Sequence, residues 1–170
     1  LKWENANVPA ILDIWFPGSE AGDAICDVLF GDKAPQGHLT TTFPQHAGQL
    51  PIYYNHKNTG RPIGENDYGK FTSGYLDVTN APLYPFGYGL TYTTFEMSDI
   101  ALSSDRLTAD GSIEAKVTLT NTGKREATTI VQLYTHDLAG SITRPVQELK
   151  GFQHVTLKPG ESKEVSFKVN

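Results

Sequence analysis

Pro9-Ala10-Ile11-Leu12-Asp13-Ile14-Trp15-Phe16-Pro17-Gly18-Ser19-Glu20 decides how the first half of the chain is read. The run is apolar except at Asp13, and Pro17-Gly18 ends it. A continuous apolar run suits a strand buried on both faces, as in a parallel sheet, because a half-exposed strand would alternate. Ser19 is placed to cap a helix, with Glu20 and Asp23 in the first turn, where the macrodipole favours carboxylates. Ala21, Ala24, Ile25, Val28 and Leu29 recur at helical spacing, and Gly31 is a stop signal. Strand, Pro-Gly turn and capped helix make half of a βαβ unit. Short strand pieces are expected at 38–43 and 50–54, then a long loop from Asn55 to about Pro82.

From about residue 91 the pattern changes. Ile113, Ala115, Val117 and Leu119 alternate with Glu114, Lys116, Thr118 and Thr120, the period-2 signature of a half-buried strand. Asn121-Thr122-Gly123-Lys124 reads as a turn and Thr128 to Thr135 as a second strand. After the turn Lys158-Pro159-Gly160, Val165, Phe167 and Val169 alternate with Ser166 and Lys168. Short strands with frequent turns indicate an antiparallel sandwich. Its core is expected to hold Ile113, Val117, Leu119, Val131 or Ile130, Leu133, Val155, Leu157, Val165 and Phe167. The fold class is thus α/β followed by all-β. Residues 1–90 form part of an α/β layer with an incomplete sheet and a flanking helix, and residues 91–170 an immunoglobulin-like sandwich. The boundary falls within 84–94.

Composition bounds the function. At 170 residues the chain is one domain or two small ones. Lys+Arg 14 against Asp+Glu 19 gives a net charge of −5, without the basic footprint of a nucleic-acid binder. No apolar stretch approaches the roughly 20 residues of a membrane span. With Gly 16 and Pro 10 the chain is too turn-rich for a helical bundle. Cys26 stands alone. Leu1 opens no basic-then-apolar leader pattern, and the last residues read as a strand, so the chain is expected to be cut from something longer.

His38, His46, His56, His136 and His154 show no metal-ligand spacing, and no metal or cofactor is expected. Ser19 misses the nucleophile-elbow spacing by one residue and reads as a cap. Gly87-Tyr88-Gly89 opens no helix and reads as a turn rather than a phosphate loop. Glycoside hydrolysis needs two carboxylates about 5 to 10 Å apart. Asp13 and Glu20 are the candidates by position, since ligands of open α/β sheets bind at the carboxyl ends of strands. Asp13 reads better as a structural hydrogen-bond acceptor, and Glu20 better as a helix-stabilising charge in the first turn. The long loop carries Asn58, Arg61, Glu65, Asp67, Tyr68 and Tyr75, suited either to gripping sugars or to docking against a neighbouring domain.

Ala10 to Gly22, Asp27-Val-Leu-Phe-Gly-Asp32 and Gly37-His-Leu-Thr-Thr-Thr-Phe-Pro44 together resemble the second domain of glycoside hydrolase family 3. Pro51 to Pro62 and Leu83-Tyr-Pro-Phe-Gly-Tyr-Gly-Leu-Thr-Tyr92 are similar to its periplasmic bacterial β-glucosidases. Thr120 to Glu126 and Arg144-Pro-Val-Gln-Glu-Leu-Lys-Gly-Phe152 resemble the family's fibronectin-type-III-like domain, here expected to lack its last strand. The resemblance implies a retaining β-glucosidase, periplasmic or secreted, acting on β-glucosides or gluco-oligosaccharides. It also implies that both catalytic carboxylates lie elsewhere. The nucleophile belongs to an N-terminal TIM-like barrel with a Ser-Asp-Trp motif, which does not occur here, and the acid/base precedes the strand matched by residues 10–16. No catalytic residue is therefore assigned. Glu20, Arg61 and Tyr68 are the substrate-binding candidates, and the missing barrel is the expected packing partner. Gly74 departs from the family's Thr-Ser-Arg-Tyr pattern, which has arginine at that place. The alternative is a free-standing carbohydrate-binding or protein-interaction module. Such a module would show a row of exposed aromatics, whereas residues 95–170 hold only Phe95, Tyr134, Phe152 and Phe167.

Overall fold

The computed structural model describes residues 1–62 and 69–170. They gather into two compact units that interleave along the chain. One comprises Leu1–Ser19, His38–Tyr88 and Thr135–Glu148; the other comprises Glu20–Gly37, Gly89–Tyr134 and Leu149–Asn170.

The first unit opens with helix α1 (Lys2–Asn7), which buries no side chain. The strand expected at 9–16 does not form, and no residue of that stretch enters a ladder. Ile11 is 41% exposed, Trp15 57% and Phe16 fully exposed. An apolar run states which environment the chain needs, but a parallel strand also needs hydrogen-bonded neighbours delivered by crossover connections. Among the described residues none lies beside it. Locally, the Asp13 carboxylate accepts the Trp15 N–H at 3.1 Å, and Trp15 turns into the left-handed region at φ 47°, which breaks an extended path.

Hydrogen bonds of irregular backbone hold the rest of this unit. Leu39 N–H donates to Tyr88 O and Phe43 N–H to Tyr84 O, so 38–43 lies along 83–88. Only the Phe43–Tyr84 bridge is strand-like there, and 50–54 forms no strand. Both expected strand pieces are thus loops, because their partners are single residues rather than continuous runs. Gln49, fully buried, closes a short 3-10 turn (Ala47–Gln49). Its Oε1 accepts Gln45 N–H at 2.6 Å, and its Nε2 donates to Thr79 O at 2.9 Å and Ala81 O at 3.1 Å. One side chain thereby joins two loops some thirty residues apart.

The second unit contains helix α2 (Ala21–Phe30), which starts after Glu20 rather than after a Ser19 cap. Glu20 occupies the cap position without a side-chain capping bond. Gly31 ends the helix as expected, at φ 81°. Tyr92 Oη donates to Val28 O at 2.7 Å, and Arg125 Nη2 donates to Gly31 O. Arg125 thus gives a partner to Gly31 O just past the helix end, while Tyr92 adds a second donor to Val28 O, which also accepts the Gly31 N–H at 3.1 Å.

Strands β1 (Phe95–Met97), β2 (Ala101–Leu102), β3 (Ile113–Asn121), β4 (Ala127–Thr135), β5 (Glu148–Leu157) and β6 (Ser162–Val169) form two sheets. β3 pairs antiparallel with β6 on one edge, with Val117 opposite Val165, and with β1 and β2 in succession on the other. β4 and β5 form the second sheet. Leu119, Val131, Val155, Leu157 and Val165 make the buried core, with Phe95, Val117 and Phe167 packed on it. Val131 rather than Ile130 points inward; Ile113 and Leu133 are half-buried. A Cβ at Gly151 would stand 2.9 Å from the Phe167 ring, so only glycine leaves that ring its place.

Asn121 ends β3 and is fully buried. Its Nδ2 donates to Arg125 O at 2.8 Å and Leu157 O at 2.9 Å. Its Oδ1 accepts Thr93 Oγ1 at 2.7 Å and Gly123 N–H at 3.1 Å. Every hydrogen-bonding direction used by this amide is filled, as burial requires.

Candidate functional site

The first unit carries an open depression of about 420 Å³, lined among others by Tyr53, Tyr54, His56, Lys57, Asn58 and Pro62. Tyr54 stacks on Phe86 with centroids 4.2 Å apart, which fixes its ring in the wall. Tyr53 is about half exposed. Aromatic faces beside amide, imidazole and ammonium groups offer both stacking surface and directional hydrogen bonds, the combination a polar ligand with apolar faces needs.

Among the described residues, the loop that contributes most of this wall has no helix or strand of its own. Val146 N–H donates to His56 O at 2.9 Å, and Ser73 N–H donates to Arg61 O at 2.9 Å. Lys57 also bridges to Pro145, and Pro62 to Ser73. The loop is thus held at two points, five residues apart. Arg61 is exposed and stands next to Pro62 of the depression.

Glu20 lies in the second unit, exposed at the start of α2, where its carbonyl accepts Ala24 N–H at 3.1 Å. Tyr68 lies outside the described residues. Asp13 serves its own turn, as an acceptor for Trp15 N–H. Among the described residues no Asp or Glu lines the depression, so they offer no carboxylate pair for a double displacement. They can bind and orient a ligand. Among the described residues no group of three or more His, Cys, Asp or Glu could hold a metal ion. Sequence reasoning missed Gln49, Val146 and Gln147. The last two lie about ninety residues from the loop they support, beyond the reach of any local pattern.

Residues 1–92 match the glycosyl hydrolase family 3 C-terminal domain, and residues 129–170 a fibronectin type III-like domain. The chain belongs to glycosyl hydrolase family 3 and corresponds to its C-terminal part. It is 54% identical over 167 residues to a periplasmic beta-glucosidase of Salmonella typhimurium, covering 98% of this chain and 22% of that protein. A putative beta-xylosidase of Formosa agariphila is 45% identical over 160 residues, 94% of this chain and 20% of that protein. Among solved structures, a beta-glucosidase from Listeria innocua in complex with gluconolactone superposes with TM-score 0.87 at 44% identity, over 92% of this chain and 22% of that one. A β-glucosidase from Erythrobacter marinus gives TM-score 0.88 at 40% identity, over 98% and 21%. The chain therefore spans about a fifth of the length of the curated relatives it matches.

Proposed function

We propose that this chain is the C-terminal portion of a retaining β-glucosidase, located in the periplasm or secreted. In that enzyme it completes one wall of the cleft and braces an N-terminal catalytic barrel. The observation that carries this is the 54% identity, over nearly the whole chain, to a periplasmic beta-glucosidase. The substrate is a β-glucoside or gluco-oligosaccharide, and both reacting carboxylates come from the preceding part of the protein. Within this chain Arg61, Glu20 and Tyr68 are the substrate-binding residues. Exposure of the Arg61 side chain beside the aromatic depression supports its part.

The family-domain boundary is placed near residue 90, with residues 91–170 forming a sandwich that lacks its last strand. Met97 and Leu102 support this. They pair with the buried Leu119 and Ala115, so they face the same side of the sheet, yet they are 63% and 52% exposed. A further strand in the second sheet would cover them.

The experiment is Arg61→Ala in the complete enzyme. A hydrogen bond from a charged group is worth about 1.5–3 kcal/mol, so KM for a β-glucoside should rise by about tenfold or more. An unchanged KM removes Arg61 from the site. A complete enzyme that turns over aryl β-xylosides but not aryl β-glucosides would replace the glucosidase reading with a xylosidase one, as for the putative beta-xylosidase of Formosa agariphila.

A further inference from the structure

Between β4 and β5 the chain leaves the sandwich pattern. Thr135–Glu148 groups with residues 38–88, and contacts of its Pro145–Gln147 stretch fall on one place. Val146 N–H donates to His56 O at 2.9 Å, Pro145 bridges to Lys57, and Val146 and Gln147 line the same depression as His56–Thr59. A loop without its own ladder must find partners for its backbone elsewhere, and here a distant segment provides them. The other holding point of the loop is the Ser73 N–H on Arg61 O. Lys57 to Arg61 is four steps of at most about 3.8 Å each. With so short a span, fixing Lys57 limits where Arg61 can point.

We propose that Thr135–Glu148 is a positioning strap, which clamps His56 and Lys57 so that Asn58–Arg61 is presented to the sugar in one geometry. This rests on the reading of Arg61 as a substrate-binding residue. The strap's contacts are with the loop and the wall of the depression, so it acts on binding. Its own ends run directly into β4 and β5, which tethers it by the chain at both sides. An ion pair between Arg144 and Asp137, 3.7 Å apart, spans its base. That pair is exposed on both sides and contributes little. The clamp on His56 is the contact that matters.

The test uses the complete enzyme and a cellobiose-type substrate. Val146→Pro deletes the N–H that His56 O accepts. Loss of one backbone hydrogen bond should raise KM about fivefold, with kcat changed by less than about twofold. Leu138→Ser, at the exposed tip of the same segment (92% exposed), should leave both constants at the wild-type value. Hydrogen exchange on the unmodified enzyme gives an independent readout: the Val146 amide should exchange slowly although it precedes β5. Val146→Pro with unchanged KM, or a Val146 amide that exchanges as fast as the strap tip, overturns the proposal. Should Val146→Pro fail to fold, the exchange measurement decides alone. An enzyme without β-glucosidase activity, yet with a protected Val146 amide, would instead overturn the proposed function and leave the clamp standing.

Discussion

Asn121 ties several segments of the second unit together. Four hydrogen bonds between 2.7 and 3.1 Å run from its side chain to Thr93, Gly123, Arg125 and Leu157. Asn121→Ala strands buried donors and acceptors, each costing about 1–3 kcal/mol. The expected loss is about 3 kcal/mol in urea unfolding, with no change in secondary structure before the transition. Gly123→Ala should be at least as harmful, since its Cβ would fall 2.1 Å from Thr93 Oγ1. Neither role was legible in the sequence. Asn121-Thr122-Gly123-Lys124 announces a turn, and it is one, but the amide's partners at Thr93 and Leu157 lie 28 and 36 residues away. Gln49 shows the same limit in the first unit. Asp13, whose partner is two residues away, was readable as a structural acceptor.

Strands with local alternation were legible, and the apolar run was not. Ile113 to Thr120 alternates because one face meets the core and the other meets water, and β3 follows that register. In β6, Phe167 packs on the core while Lys168 is exposed. Phe167→Ala should therefore cost about 3–5 kcal/mol, and Lys168→Ala close to nothing, in paired thermal melts. Equal losses would contradict the register. Residues 9–16 carry no such self-sufficient signal, because their partners must arrive from outside the stretch. Left uncovered, Ile11, Ile14, Trp15 and Phe16 should bind a hydrophobic dye and promote association of the isolated chain. Ile14→Asp with Phe16→Asp should reduce both in fluorescence and light-scattering measurements.

On the outer face of β3, Lys116 is held above the usual lysine pKa, first by its hydrogen bond to Glu164 at 3.1 Å and then by the charge of Glu114. A raised folded pKa contributes stability that is full below the unfolded value of about 10.4 and fades as pH rises through the folded one. The stability difference between wild type and Lys116→Met should stay flat from about pH 6 to about pH 9 and shrink only above about pH 10.5.

For the whole molecule, family membership was legible in several ordered motifs, and the structure adds how little chemistry the described residues can perform alone. Among the described residues the depression has aromatic and hydrogen-bonding walls but no carboxylate. Arg61 stands beside it, and Glu20 belongs to the other compact unit. The same interleaving is why site geometry outran the sequence: Thr135–Glu148 supports a loop some ninety residues earlier, a relation no local pattern encodes. The central claim is that this chain serves a glycosidase whose reacting groups it does not carry. Hydrolysis of an aryl β-glucoside tests it most directly, measured for the rigorously purified 170-residue chain and for the same residues joined to the preceding catalytic part. The account predicts no turnover above the buffer blank for the chain alone and full activity for the joined protein. Turnover by the chain alone, or none by the joined protein, would contradict it.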